Sequence, residues 1–123
     1  MSVRAEFANQ PASVAAARRF VSGVLGRSSA GIRQRVELLV SELATNAVKH
    51  AQSEFEVVVD ESDRQVHIEV TDRGSGVPRK KFPAPEETTG RGLLIVASLS
   101  DDWGIVEHPC GKSVWFRLSG KPL

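Results

Sequence analysis

The chain reads as a two-layer α/β sandwich of the α+β kind, its helices on one face of a mixed, mostly antiparallel sheet, in the order ααββαββ. Three observations carry this reading. Apolar residues recur at helical spacing in two early segments and one late one, they alternate with period two in four others, and polar turns join the segments without repeats or an internal linker. At 123 residues and 41% hydrophobic, the chain has the size of one domain able to bury a core, and residues 1–123 are read as that single domain.

The first helix starts near Pro11, where a missing N–H does no harm, with Asn9 or Ser13 as candidate caps. Val14, Ala17, Val21, Val24 and Leu25 form its apolar stripe, and Gly26 or Gly31 closes it. The second helix buries Ile32, Val36, Leu39, Val40, Leu43 and Ala47. At ~100° per residue, Glu42, Asn46, Lys49 and His50 gather beside that stripe within an arc of roughly 100°, where polar groups can line a pocket. Strands follow at Phe55–Val59 and Val66–Val70, around the polar turn Asp60–Asp63. Residues 73 to 92 hold four glycines, three prolines and the basic run Arg79-Lys-Lys81. An irregular stretch of that length in a compact domain is more often functional than idle. A short helix, Leu93 to Leu99, precedes a second hairpin, Trp103–Glu107 and Ser113–Leu118 around Pro109–Lys112. Trp103 and Trp115 are expected to face one another across it, as core residues.

Composition narrows the function. The 16 Lys+Arg nearly balance 15 Asp+Glu, which gives no basic face for nucleic acid. One cysteine excludes an internal disulfide and a multi-cysteine zinc site. No apolar run approaches the roughly 20 residues of a membrane span, and Met1-Ser-Val-Arg4 lacks the apolar stretch of a signal peptide. A cytoplasmic setting is expected.

Three pieces carry chemistry. Asn46 offers a carbonyl oxygen to magnesium, which takes few ligands from protein and the rest from phosphates and water. Glu42, one helical turn earlier, suits a base that deprotonates or orients an attacking hydroxyl. Asp72 ends a strand and opens the loop Asp72-Arg-Gly-Ser-Gly76, where a carboxylate can accept from an exocyclic amine, and Gly74 and Gly76 let backbone approach a flat ligand. Gly90-Arg91-Gly92 directly precedes a helix, whose free N–H groups attract phosphate. Each piece alone has a plain structural reading: solvated helix residues, a strand-ending turn, a glycine loop. Their order in so short a chain points to a nucleotide site. Gly111-Lys112-Ser113 echoes the end of a P-loop, but Val106 stands where that motif needs glycine, and the segment lies in a hairpin.

Glu42-Leu-Ala-Thr-Asn46-Ala-Val-Lys-His50 resembles the N-box of the GHKL ATPases, which have the Bergerat fold. Asp72-Arg-Gly-Ser-Gly76 resembles their first glycine box and Thr89-Gly-Arg-Gly-Leu93 the second. The resemblance covers roughly residues 10 to 118 and runs closest to the anti-sigma factor serine/threonine kinases of the RsbW type. It implies ATP and magnesium as cofactors, with Asn46 on the metal, Glu42 as catalytic base and Asp72 on the adenine amine. Gly76 would lie by the purine, Gly90, Arg91 and Gly92 would meet the phosphates, Lys49 and His50 would border the ribose or phosphates, and Gly74, Val77, Thr89, Leu93 and Ser113 complete the implied ATP-binding set. Residues 77 to 89 would form a lid. Ser113 stands where the family often has threonine behind the adenine, and Thr89 replaces a frequent glycine. The implied partners are a sigma factor and a STAS-type antagonist phosphorylated on serine or threonine, with a homodimer expected and no direct contact to nucleic acid or membrane. A binding module that uses ATP without phosphotransfer is the alternative. A histidine-kinase catalytic domain fits less well, because only 41 residues precede Glu42 and none is histidine.

Overall fold

The structure, a computed structural model, describes residues 2–26, 30–51, 53–62, 64–74 and 90–119, and of residues 90 to 92 the backbone alone. It opens on a strand that the sequence reading lacks, β1 (Ser2–Phe7). Val3, Ala5 and Phe7 are half-buried while Ser2, Arg4 and Glu6 are exposed, a period-two pattern too short to stand out beside the longer strands. Phe7 anchors it: its ring stacks on Phe55 at 5.3 Å and meets Phe20 edge-on at 6.0 Å.

Helix α1 (Ala12–Val24) follows Pro11, without a side-chain cap. Asn9 and Ser13 therefore do not cap it; Ser13 is buried instead. Ala17, Val21 and Leu25 are fully buried, and the Leu25 N–H donates to the Val21 carbonyl as the helix ends. Helix α2 (Ala30–Asn46) buries Ile32, Val36, Leu39, Val40, Leu43 and Ala44. The Ser41 and Thr45 hydroxyls donate back to the carbonyls of Glu37 and Ser41, both at 2.7 Å, so they need no solvent. The helix then widens into a π-helical turn, Ala47–Ala51, a rare geometry that recurs at functional sites.

Strands β2 (Phe55–Ser62) and β3 (Gln65–Asp72) form a hairpin in which Arg64 takes a left-handed φ of 64°. Helix α3 (Gly90–Leu99) starts three residues before the expected Leu93, and β4 (Asp102–Glu107) and β5 (Lys112–Ser119) close the chain. The sheet order is β1-β2-β3-β5-β4. The expected mixed, mostly antiparallel sheet is antiparallel at every neighbouring pair among the described strands. β4 runs parallel to β3, but β5 inserts between them, which restores antiparallel pairing on both sides.

The helices cover one face of this sheet. Val57, Val70 and Val114 lie opposite one another in adjacent strands and join the helical stripes in one core with Phe55, Ile68 and Phe116. Trp103 pairs with Phe116 and packs on this core, whereas Trp115 pairs with Gly104 and stacks on His67 at 5.4 Å. The two tryptophans therefore occupy opposite faces rather than facing each other, because they sit one position out of register. Among the described residues, no helix is long and apolar enough to cross a membrane.

Candidate functional site

One cleft opens between the end of α2, the start of α3 and the C-terminal end of β3. Its lining is Leu43, Asn46, Ala47, Val70, Asp72, Leu93, Lys112 and Val114. Helix α2 delivers Asn46 as its last residue, just before the π turn, while the apolar i−3 and i+1 neighbours Leu43 and Ala47 wall the cleft. Strand β3 delivers Asp72 at the same parity as Val66, Ile68 and Val70, so its carboxylate faces the helices and is 6% exposed.

Two partners hold that carboxylate. The Gly74 N–H donates to Oδ1 at 3.0 Å, and the Lys112 ammonium donates to Oδ2 at 3.2 Å. Asp72 and Lys112 are direct cross-strand partners, and both side chains are 6% exposed. Removing two charges from water costs several kcal/mol per ion, so such a pair contributes little net stability, while deleting one partner costs roughly 3–5 kcal/mol.

Lys112 is the residue that the sequence reading missed, and Ser113 is the one it misplaced. Strand β5 turns Lys112, Val114, Phe116 and Leu118 toward the helices. Ser113 belongs to the other face, where its hydroxyl shares hydrogen bonds of 2.8 Å with Thr71 Oγ1 and with His108 Nε2. On the cleft side β5 therefore presents Lys112 and Val114, not Ser113. The signal is the parity of Lys112 with Val114 and Phe116, whereas Ser113 entered through its place in the family motif.

The remaining candidates divide. Glu42 is half-buried one turn before Asn46 and does not belong to the cleft lining. Lys49 and His50 are exposed on the π turn and also stand outside the lining. Gly74 lies behind Asp72 and orients it. Leu93 lines the cleft. Gly90, Arg91 and Gly92 form the first turn of α3 by their backbone. Their side chains, and Gly76, Val77, Thr89 and the segment 77 to 89 expected as a lid, lie outside the described residues.

The family model for the histidine kinase-like ATPase domain matches residues 7–118, nearly the whole chain. The chain belongs to the histidine kinase-like ATPase family. Among solved structures, the RsbU and RsbW domains of Rv1364c from Mycobacterium tuberculosis superpose on this ATPase domain with a TM-score of 0.77 at 16% identity, a likeness of fold. The match covers 97% of this chain and 32% of that one, so this chain spans about a third of its length. None of the curated proteins compared with the chain matches it.

The donor set of this ATPase domain fits its nucleotide. Leu43, Ala47, Val70, Leu93 and Val114 offer apolar walls to a flat ring, and Asp72 places a hydrogen-bond acceptor among them. Among the described residues no group of three or more His, Cys, Asp or Glu could cage a metal. Asn46 lines the cleft, and its carbonyl oxygen would hold magnesium together with phosphate oxygens, the sparse protein ligation this ion commonly takes.

Proposed function

We propose that the chain binds ATP with magnesium in the cleft between α2 and the sheet and works as a partner-switching anti-sigma factor of the RsbW type. In this reading it sequesters a sigma factor and phosphorylates a serine or threonine of a STAS-type antagonist, as a homodimer without direct contact to nucleic acid. The observation that carries it is the convergence of Asn46 and Asp72, from separate elements, on one cleft with apolar walls. Asp72 accepts the adenine amine, and Asn46 turns the nucleotide's phosphates toward the end of α2. When bound, magnesium neutralises charge that develops on the phosphates. Glu42 takes the proton of the antagonist's hydroxyl as that oxygen bonds to the terminal phosphorus and the bond to the ADP oxygen breaks.

Two measurements test this. Calorimetric titration should show ATP binding that falls when magnesium is chelated, and labelled phosphate should pass from ATP to a purified STAS-type protein. Absence of ATP binding would sink the whole reading. A second reading, a binding module that uses ATP only to set its conformation, is favoured by the position of Glu42 outside the cleft lining. Binding without transfer would select it.

A further inference from the structure

Lys112 takes no part in the function proposed above, yet it is the one buried cation among the described residues. An ammonium carries three N–H donors. One reaches Asp72 Oδ2 at 3.2 Å, and among the described residues the ammonium has no other hydrogen-bond partner. Buried donors are normally satisfied, and the cleft that Lys112 lines is where an acceptor for the others can sit. Among the described residues, Asp72 is engaged just as incompletely. Its Oδ1 accepts from the Gly74 N–H and its Oδ2 from Lys112, which leaves a carboxylate with acceptor capacity on each oxygen.

The wall of the cleft thus presents an acceptor and a donor side by side, 3.2 Å apart. The edge of a 6-aminopurine carries the complement, an exocyclic amine next to the bare ring nitrogen N1. Resting on the nucleotide reading given above, we propose that Lys112 reads the base: Asp72 accepts the amine while Lys112 donates to N1. The pair then has a reason to exist in a position where the alternation of β5 otherwise places Val114, Phe116 and Leu118. An ion pair that only closed the β3–β5 end would leave the ligand indifferent to Lys112.

The test compares ATP with 1-deaza-ATP, in which N1 is replaced by C–H, by calorimetric titration of the intact chain and of Lys112→Met. The parent chain should bind the 1-deaza analogue roughly tenfold more weakly than ATP, the loss that follows from one missing hydrogen bond to a charged group. Lys112→Met should bind ATP as weakly as the parent binds the analogue, and should no longer tell the two apart. The comparison on the parent chain needs no substitution, so it stands even where the variant fails to fold. Equal binding of both nucleotides by the parent overturns the inference, as does tighter ATP binding by Lys112→Met, which would make the lysine a plug. GTP bound as well as ATP also overturns it, since the pair would then read a 6-oxo edge. A parent chain that binds none of these nucleotides overturns the nucleotide reading itself, a result distinct from the others.

Discussion

Gly74 and Gly111 meet backbone to backbone. A Cβ on Gly74 would overlap the Cys110 carbonyl oxygen, and one on Gly111 would overlap that of Asp72. Gly74 also holds a left-handed φ of 59°. The contact locks the end of β3 against the turn between β4 and β5, and the Gly74 N–H then sets the direction of the Asp72 carboxylate. The glycine of this box therefore serves the acceptor first, through packing within the protein.

Gly74→Ala should destabilise the fold by about 2 kcal/mol or more, since it adds left-handed strain to a steric overlap with backbone that cannot move aside. Urea unfolding measures it. A variant as stable as the parent would show that the two turns separate freely.

Asp72→Asn should lower stability by about 3 kcal/mol or more, because Lys112 is left charged and buried without a counterion. Combined with Lys112→Met, the loss should be smaller than the sum of the two single losses, as neither charge remains alone. Unfolding midpoints of the four proteins in this cycle give the coupling directly. Additive losses would mean that the two charges do not depend on each other. Loss of ATP affinity in Asp72→Asn is to be read only under conditions where the variant is folded.

Ser113→Ala should leave ATP affinity within about twofold, because the hydroxyl faces away from the cleft toward Thr71 and His108. Its stability should fall by about 1 kcal/mol from the lost hydrogen bonds. An ATP affinity reduced tenfold by this change would return Ser113 to the site.

Glu42→Ala should keep ATP binding and lose phosphotransfer by about 100-fold or more, since a general base acts on the transition state rather than on the bound nucleotide. Labelled transfer to a STAS-type protein checks it. Transfer at the parent rate would assign Glu42 a structural place on α2 and favour the binding module.

Much of the fold was legible because local periodicity and burial agree. The stripe from Ile32 to Leu43 and the alternation in Phe55–Val59 and Val66–Val70 each name a buried face, and those faces form the core. The edge strand Ser2–Phe7 was not legible. Its three half-buried positions gain their meaning from Phe20 and Phe55, which are distant in the chain. The family boxes marked Asn46, Asp72 and Leu93, which do share a cleft; Lys49 and His50 stand on the π turn outside its lining, and Ser113 lies on the other face of the sheet.

By itself, then, the sequence determined the succession of helices and strands that follows the edge strand β1, the family and the two polar groups at the heart of the site, because these depend on spacing within short segments. Only the tertiary structure decided which residue stands beside Asp72. Lys112 entered the sequence reading only in a turn and a rejected P-loop echo, and Ser113 only through its place in the family motif. The antiparallel pairing of β3 with β5 reverses that: it sets Lys112 directly opposite Asp72 under the helices, and turns Ser113 with Thr71 to the far face. Alternate side chains of a strand point to opposite faces, so a single position of register settles which of two neighbours enters the cleft.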